Sequence, residues 1–503
     1  MNRQAIPPRS LPAERVAKAA TKRAAMVPAA RRALSPHIAL RVNYHDETEF
    51  GSTVSERCDT ELRARFAVLS EYREKYGLPR LVRDAAAILK RVVPQCLEGI
   101  RGTPGRLRDE WLYPDPVLVK PAQLLVVRNL GDVTARIPVP RAVCADLASY
   151  LGDWQQGAEP PRIGAARGLW DALAAEGALC PIDRLPTVTR RPGITYVGHA
   201  TLCVSDGDRQ LLIDPFLLPA STLYPRDWQP LSLQELGRPD AILITHSHPD
   251  HYDVGTLLRC GADTPIFVSA VRRESVLAID MAARLRELGF RSVHAVEDWS
   301  DFRIGAMRVV ALPFYGEQPT IGETLHPEVR NQGTTYVVEV GGHRVAAVAD
   351  AGLDWAGNVK DMAAQARARY GPVDTVFGGY RGFAMYPVQY VFSSVTRYLP
   401  FVPEACWGER QRIMCDADDL VDLGERWRAN RVVPYAAGGA PWYWLRGLGP
   451  CLDGSAPDDT FEDTPPPRHV SDVAARRSFT RRDGPLASPL DVLTLRVGDC
   501  LPL

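Results

Sequence analysis

"THSHPDHYD", residues 245–253, places three histidines and two aspartates within eight residues, directly after the apolar run "AILI". Such a run predicts a buried β-strand that ends where the polar residues begin. In an extended loop, residues two apart point to the same side, so His246 and His248 can face one metal ion. Asp250 and His251 then point toward a second position beside the first. Imidazole and carboxylate groups suit zinc, iron or manganese, so the stretch predicts a two-metal site.

The bulk composition restricts the class of protein around this site. The chain has 503 residues, 46% of them hydrophobic and 24% charged, which is typical of a globular protein with more than one domain. Its formal net charge of zero gives no reason to expect nucleic acid or an anionic membrane as partner. No apolar run reaches the roughly 18 residues of a membrane span. The ten cysteines are scattered without a C-x-x-C pair, which favours a reduced, cytoplasmic protein.

Composition also predicts the domain organisation. The stretch "PIDRLPTVTRRPG" has three prolines and little periodicity, so we place a linker and a domain boundary near residue 185. Downstream, strands and helices alternate, which predicts an α/β layered domain with helices near 270–289, 359–370 and 417–429. The predicted units are a basic flexible arm (1–40), an N-terminal α+β domain (41–185) and a catalytic domain with a C-terminal extension (186–503).

The motif H-x-H-x-D-H after a strand resembles the metallo-β-lactamase-fold superfamily. Two neighbouring stretches support the resemblance. "YVGHATLCVSDGDRQLLIDPFL" resembles the opening hairpin of that superfamily, with Asp214 at the usual aspartate. "AAVADAG" resembles its later strand end, whose aspartate bridges two metals and is Asp350 here. The resemblance covers about residues 192–445, and it implies an αββα sandwich with the metals at one edge between the two sheets.

The departures from the hydrolytic members concern three histidine positions. One lies in "ALPFYGEQPT", which contains Glu317 instead of a histidine. The next stretch, "VFGGYRGFAMYPVQY", has Tyr380, Gln389 and Tyr390, and a later one, "VVPYAAGG", has Tyr435. Exchanging imidazole for carboxylate makes the first metal position harder and more negative. That change favours iron or manganese over a hydrolytic zinc pair.

This exchange resembles the diiron β-hydroxylases of nonribosomal peptide pathways (chloramphenicol-pathway type), which also carry a domain before the metallo-β-lactamase domain. The resemblance implies two iron ions bridged by Asp350. Its final histidine would have to come from elsewhere, and His469 is the one histidine after residue 343. The implied metal ligands are His246, His248 and Glu317 at the first position, Asp250 and His251 at the second, with Asp350 shared and His469 as the candidate for the final place.

Two functions follow from the resemblance. The favoured one is a non-haem diiron oxygenase that hydroxylates an amino-acid-type substrate tethered to a carrier protein, in a biosynthetic tailoring pathway with an external electron donor. Glu317 would bias the site toward iron redox chemistry, and the N-terminal domain would mediate docking or formation of a homodimer. The alternative is a dinuclear hydrolase (phosphodiesterase, lactonase or amidase type) with zinc or manganese, in which Asp250 orients a metal-bound water.

Other polar and aromatic residues have plainer interpretations. We expect Asp214 to support the site from outside, and His199 in the opening hairpin to pack or to support a ligand from outside, not to bind metal itself. Asp253 is a candidate to hydrogen-bond a metal-binding histidine from behind. His326 is expected to be an exposed loop residue, and the aromatic stretch 442–444 to pack, with an aromatic wall over the metal cleft as the alternative.

Overall fold

A computed structural model gives the fold of the chain. It describes residues 31–44, 54–89, 121–129, 132–182, 188–219, 229–318, 330–382, 384–392, 396–402, 404–436, 468–480 and 490–503. Within these ranges, no helix combines the length and the apolarity that crossing a membrane requires.

The helices, in chain order, are α1 (Val54–Tyr76), α2 (Leu78–Leu89), α3 (Leu147–Gln155), α4 (Ala165–Ala175), α5 (Leu233–Leu236), α6 (Val254–Cys260), α7 (Met281–Glu287), α8 (Val359–Tyr370), α9 (Ala417–Trp427) and α10 (Arg468–Thr480). Short 3-10 helices cover Arg141–Asp146, Pro387–Phe392, Thr396–Phe401 and Glu404–Cys406.

The strands are β1 (Arg32–Leu34), β2 (Ala39–Asn43), β3 (Gln123–Arg128), β4 (Asp132–Pro138), β5 (Leu179–Pro181), β6 (Gly193–Gly198), β7 (Thr201–Ser205), β8 (Gln210–Ile213), β9 (Ala241–Leu243), β10 (Ile266–Ser269), β11 (Val293–Val296), β12 (Asp301–Ile304), β13 (Met307–Pro313), β14 (Thr334–Val340), β15 (His343–Ala349), β16 (Leu353–Asp354), β17 (Gly357–Asn358), β18 (Thr375–Gly378), β19 (Ala384–Met385), β20 (Gln411–Arg412), β21 (Arg431–Pro434), β22 (Asp491–Val492) and β23 (Cys500–Leu501).

Two seven-stranded mixed sheets form the centre of the part that the sequence predicted as the catalytic domain. Their strand orders are β11-β10-β9-β8-β7-β6-β23 and β12-β13-β14-β15-β18-β21-β22. The strands that lead to the metal motif, β8, β9 and β10, pair in parallel, as do β15, β18 and β21. The inner faces of the sheets bury one common core, to which Leu243 of the first sheet and Tyr336 of the second both belong. With helices outside both sheets, this is the αββα sandwich that the sequence predicted.

Local sequence explains where the outer helices begin. The side chain of Asp253 caps α6 by accepting from the Thr256 N–H, and Asn358 caps α8 by accepting from the Lys360 N–H. The predicted helix 359–370 therefore has the observed bounds. The predicted helix 270–289 is too long, since the structure has only the shorter helix α7 in this range. Ser275 interrupts it, since its side-chain oxygen accepts from the Ala278 N–H in a local turn.

The N-terminal domain packs directly on the first sheet's outer helices. Strands β2, β3 and β4 form a three-stranded sheet, and α3 packs on α6. One continuous core contains Leu40 and Trp154 from the N-terminal domain together with Leu257 and Ile266 from the catalytic domain. The linker region 183–187 lies outside the described residues. The shared core means that the boundary near residue 185 separates two parts that bury each other's apolar side chains.

The predicted basic arm is too long at its C-terminal end. Residues 1–30 lie outside the described residues, but β1 and β2 begin before residue 41. Ala33, Leu34 and Ile38 are buried there, because β1 pairs with β5 and the following turn closes onto the N-terminal core. The folded N-terminal domain therefore starts at β1 in the described chain.

Candidate metal centre

The candidate metal centre lies where several strands end at one edge of the sandwich. Asp214 directly follows β8, and the histidine motif follows β9, which is parallel to β8. On the facing sheet, Asp350 follows β15, and Glu317 lies four residues after β13, which runs in the same direction as β15. The turn between β6 and β7 holds His199 at the same edge, since β7 is antiparallel to β8. Sheet topology thus collects residues that are up to 150 positions apart.

The first group consists of His246, His248 and Glu317, all buried. Nε2 of His246 lies 3.1 Å from Nδ1 of His248. The same Nδ1 lies 2.8 Å from Oε2 of Glu317. The two imidazoles therefore present different ring nitrogens to one point, and the carboxylate closes that point from the opposite sheet.

The second group lies next to the first and consists of two clusters that share His251, one of which also shares His246 with the first group. His246, His251 and Asp350 form one cluster of donor atoms, and His199, Asp250 and His251 form another. Nε2 of His251 lies 3.1 Å from Oδ2 of Asp350. Nε2 of His199 lies 3.0 Å from Oδ2 of Asp250. Asp350 lies with His246, a member of the first group, and with His251, a member of the second.

The donor geometry fits two metal ions. In each cluster the ligand atoms lie within 4.8 Å of one another. Two ligands held about 2.1 Å from one ion at a right angle are about 3 Å apart, which matches the nitrogen–oxygen separations here. Oδ1 of Asp350 is buried and has no hydrogen-bond partner among the described residues. A buried carboxylate oxygen in that state is costly unless it is paired with a cation or metal.

The pKa shifts of the buried side chains also favour bound metal ions. Burial raises the pKa of Asp250, but the positive charge of His251 and the hydrogen bond from His199 outweigh it and leave the pKa well below its usual value. Burial lowers the pKa of His246, with added repulsion from His251 and His248, so this imidazole is neutral and free to coordinate. Burial raises the pKa of Glu317, against the opposing charge of His248. Three carboxylates in this small buried volume need positive charge to stay ionised.

Contacts outside the clusters fix which ring nitrogen is available. Nδ1 of His251 lies 2.8 Å from Oδ2 of Asp214, which also accepts a hydrogen bond from the Thr245 hydroxyl. Nε2 of His248 lies 2.9 Å from the hydroxyl of Tyr398. Such partners orient metal-binding imidazoles and raise their basicity. Asp214 thus supports the site from outside, as the sequence predicted, and Tyr398 has a role that sequence reasoning missed.

A network around Asp354 holds the Glu317 loop. One carboxylate oxygen of Asp354 accepts from the Gly316 N–H at 2.9 Å and from the Gln318 side-chain amide at 2.6 Å. The guanidinium of Arg330 pairs with the same oxygen at 2.7 Å. The residues on both sides of Glu317 are therefore tied to one buried carboxylate. This fixes the direction in which Glu317 points.

Strained backbone concentrates at the same edge. His199, Asp214, Glu317 and Ala349 all have positive φ angles between 46° and 56° although none is glycine. Such conformations cost about 1–3 kcal/mol each and persist where the surrounding structure imposes them. The N–H of Ala349, next to Asp350, donates to the hydroxyl of Tyr435, which is how that tyrosine contributes at the site.

Not every predicted residue reaches the centre. His469 lies on α10, which packs against α9, and it is in none of the three donor clusters found among the described residues. It is part of a helix that covers the second sheet, because Val470 and Val473 bury themselves in the outer core there. Asp253 caps α6 and does not contact a histidine of the motif in the hydrogen bonds described. His326 and the aromatic stretch 442–444 lie outside the described residues.

His199 was expected to pack in the opening hairpin or to support a metal ligand from outside. It is buried and hydrogen-bonded to Asp250, and it lies within one of the donor clusters. Its signal was available in the strand register. Because β6 and β7 are joined by a two-residue turn and β7 pairs with β8, the turn must lie at the edge where Asp214 emerges.

Comparison with known proteins agrees with this geometry. The family model described as a beta-lactamase superfamily domain matches residues 209–434. A curated relative, the 4-amino-L-phenylalanyl-(CmlP-peptidyl-carrier-protein) 3-hydroxylase of Streptomyces venezuelae, is 32% identical over 191 residues, or 37% of this chain and 33% of the relative. A UPF0173 metal-dependent hydrolase of Symbiobacterium thermophilum is 31% identical over 167 residues, or 32% of this chain and 60% of the relative. The first relative is thus matched over about a third of its length.

A solved structure extends the likeness to nearly the whole chain. CmlA, a diiron beta-hydroxylase from Streptomyces venezuelae, superposes with a TM-score of 0.56 over 94% of this chain and 100% of that chain, at 18% identity. At this identity the likeness concerns the fold. Residues 209–434 therefore match a beta-lactamase superfamily domain, and the chain as a whole has the same fold as this solved structure.

Proposed function

We propose that this chain is a non-haem diiron oxygenase that hydroxylates an amino-acid-type substrate tethered to a carrier protein. The observation that carries the proposal is Glu317, whose carboxylate lies 2.8 Å from Nδ1 of His248 at the first metal position. The resemblance to hydrolytic members of the metallo-β-lactamase-fold superfamily implies an imidazole at this place. The choice between oxygen chemistry and hydrolysis is therefore argued from this one substitution of ligand type.

The charge balance of the centre favours iron. Asp250, Glu317 and Asp350 supply carboxylate oxygens, and His246 and His248 supply imidazole nitrogens. Two divalent ions with a carboxylate-rich ligand set form a centre with little excess charge. Hard oxygen donors stabilise iron in its higher oxidation state better than imidazole does. Iron bound here would supply the activation of dioxygen for C–H hydroxylation, with electrons from an external donor.

The side chains of the chain hold this centre and keep water from it. His246 stacks on Phe314 with ring centroids 4.9 Å apart. Tyr398 covers the outer side of His248. His246 and His251 have no exposed surface, and Glu317 is only 7% exposed. A dry, rigid ligand set suits a reaction whose oxidising power must be directed at the substrate and not lost to solvent.

The substrate class rests on likeness to a relative. The Streptomyces venezuelae relative acts on an aminoacyl group held by a peptidyl carrier protein. We extend that class to this chain and assign carrier docking, or formation of a homodimer, to the N-terminal domain. The extensive core that this domain shares with the catalytic domain supports a fixed position relative to the metal centre.

Hydrolysis is the second candidate, because the hydrolase from Symbiobacterium thermophilum is similar to this chain at nearly the same identity. In that case the ions would be zinc or manganese. Asp250, held at 3.0 Å by His199, would orient a metal-activated water toward a phosphodiester, lactone or amide. The residues of the second position are compatible with either reaction, so the first position decides.

The test exchanges Glu317 for other ligand types. Glu317→His is expected to shift the metal bound after exposure to equimolar iron and zinc toward zinc, because imidazole suits zinc better than carboxylate does. Glu317→Gln keeps the shape, loses the charge and should weaken the first iron. Glu297→Gln, an exposed position, is the matched control. Unchanged iron content and unchanged oxygen reactivity in both Glu317 variants would remove the support for the oxygenase and favour the hydrolase.

A further inference from the structure

We propose that the imidazole of His199 is a ligand of the second metal position and replaces the downstream histidine that this chain lacks. The inference rests on the two-metal centre proposed above, but not on the identity of the metal. The second position otherwise offers Asp250, His251 and Asp350, which include a single nitrogen donor. A further imidazole would complete a set of four protein ligands for a first-row divalent metal ion.

The position of His199 matches that of the other donors. Its Nε2 lies 3.0 Å from Asp250, while His251 and His248 have their own nitrogen–carboxylate distances of 3.1 and 2.8 Å. The three pairs thus have the same separation, which is that of neighbouring ligands around one ion of this size. The ring of His199 also lies next to that of His251, with centroids 5.2 Å apart. His199 therefore belongs to the same cluster of donor side chains as His251.

The other histidines in the described residues lie elsewhere. His294 is exposed, with Nε2 at 3.0 Å from the hydroxyl of Ser292, and His343 is exposed at the β14–β15 hairpin. His37 is in the exposed turn between β1 and β2, and His469 lies on α10. His199 is only 3% exposed and is tied to an aspartate of the motif.

His199 lies beside the end of β21 in the second sheet. After β21 the backbone passes directly over the β6–β7 turn, and the N–H of Ala436 donates to the carbonyl of His199 at 3.0 Å. Ala436 has a φ of 53° and only a methyl side chain, so its side chain cannot contribute a ligand. The neighbouring Tyr435 uses its hydroxyl for the N–H of Ala349. The end of β21 thus supplies no donor, and the hairpin histidine stands beside it.

The backbone of the turn fixes His199 in this place. His199 has a φ of 49°, in the left-handed region that non-glycine residues seldom adopt. Two contacts impose that conformation. The Ala436 N–H donates a hydrogen bond to the His199 carbonyl, and Gly198 pairs with Thr201 on either side of the turn. A side chain that is aimed at a metal position by strained backbone is a repeated feature of functional sites.

The experiment counts metal-bound imidazoles directly. The full-length protein is loaded with cobalt(II) under anaerobic conditions, and proton NMR records the exchangeable imidazole N–H signals that the ion shifts strongly. We expect four such signals in the parent, from His246, His248, His251 and His199. His199→Gln should show three, and the matched exposed variant His343→Gln should keep four. Three signals in the parent, unchanged in His199→Gln, would overturn the assignment.

Metal titration separates a ligand from a residue that only holds Asp250. The amide of Gln can still donate a hydrogen bond to Asp250 but is a poor metal ligand. Calorimetry with zinc(II) should therefore find two ions in the parent and, in His199→Gln, a second ion weakened by more than about a hundredfold, beyond what loss of an outer partner usually causes. Two ions of unchanged affinity in His199→Gln, or fewer than two in the parent, would contradict the inference.

Failure of the His199 assignment can be distinguished from failure of the proposed oxygenase function. Four imidazoles on two ions in a protein whose iron form consumes no oxygen would leave the His199 assignment standing and remove the proposed function. Three imidazoles in a protein that hydroxylates would do the reverse.

Discussion

Substituting Gly255 by alanine tests whether the N-terminal and catalytic domains form one folding unit. Gly255 is the second residue of α6, which begins directly after the histidine motif. A Cβ atom built at this position would lie 1.6 Å from the carbonyl oxygen of Leu40 in β2 of the N-terminal domain. The absence of a side chain is therefore what lets the two domains approach here.

The expected cost follows from that distance. A carbon–oxygen contact needs about 3.1 Å, so β2 and α6 must separate by about 1.5 Å, and both are backbone that is fixed by its own hydrogen bonds. Overpacking of this kind costs about 1–3 kcal/mol, and we expect the upper end because no flexible side chain can give way. Urea unfolding of the full-length protein, followed by circular dichroism, should show the free energy of unfolding reduced by about 3 kcal/mol.

The matched control is Gly168→Ala in α4, where a Cβ atom would meet nothing within 4 Å. Alanine is a better helix former than glycine, so this variant should be more stable by about 0.5–1 kcal/mol. Opposite signs for the two substitutions are the predicted result. A Gly255→Ala protein as stable as the parent would refute the shared core and restore a separable catalytic domain that begins near residue 185.

Three further predictions concern the metal centre. Asp354→Asn removes the charge that holds the Glu317 loop and Arg330, so calorimetry should find the first metal position weakened and the second retained, while exposed Asp361→Asn should bind as the parent does. Tyr398→Phe removes the partner of Nε2 of His248 and should weaken the first ion about 10–100-fold in the same titration, and an unchanged affinity would refute its orienting role. Burial lowers the pKa of His251, but Asp350, Asp214 and Asp250 outweigh this and raise it well above 6.5 in the metal-free protein. Protonated His251 therefore stabilises the metal-free fold below about pH 6.5, and this contribution is lost as pH rises through the raised pKa. Metal affinity should rise as the pH increases from about 6.5 through the raised pKa of His251, because the proton and the metal ion compete for one imidazole nitrogen. An affinity that does not change with pH in this range would contradict the proposed site.

Much of the fold could be predicted from the sequence because its signals are local. The apolar run before the histidine motif is β9, and the periodic stretch 359–370 is α8 with the same bounds. The helix predicted over 270–289 failed for a local reason too, since Ser275 competes for backbone N–H groups in a turn. The packing of β2 against α6 could not be predicted, because it depends on a contact between residues more than 200 positions apart.

The candidate site likewise has residues that local sequence predicts and residues that only distant contacts bring to it. His246, His248, Asp250 and His251 are adjacent in sequence, and the structure brings them together with Glu317 and Asp350. His469 was proposed because it is the one histidine after residue 343, and its helix packs on the outside of the second sheet. His199, proposed above as the missing donor, lies upstream in a two-residue turn whose position follows from strand register and not from motif order. Tyr398 reaches His248 across 150 positions, so no local pattern pointed to it.

The central claim is that the centre holds two iron ions that react with oxygen. The most direct measurement is reconstitution of the full-length protein with iron(II) under anaerobic conditions, followed by iron analysis, addition of a chemical reductant and oxygen, and recording of oxygen consumption. We expect about two iron ions per chain, one for each donor group, a near-ultraviolet charge-transfer band after oxygen exposure, and oxygen uptake that depends on the reductant. A colourless protein that retains zinc in preference to iron, consumes no oxygen and hydrolyses a phosphodiester, lactone or amide would contradict the claim.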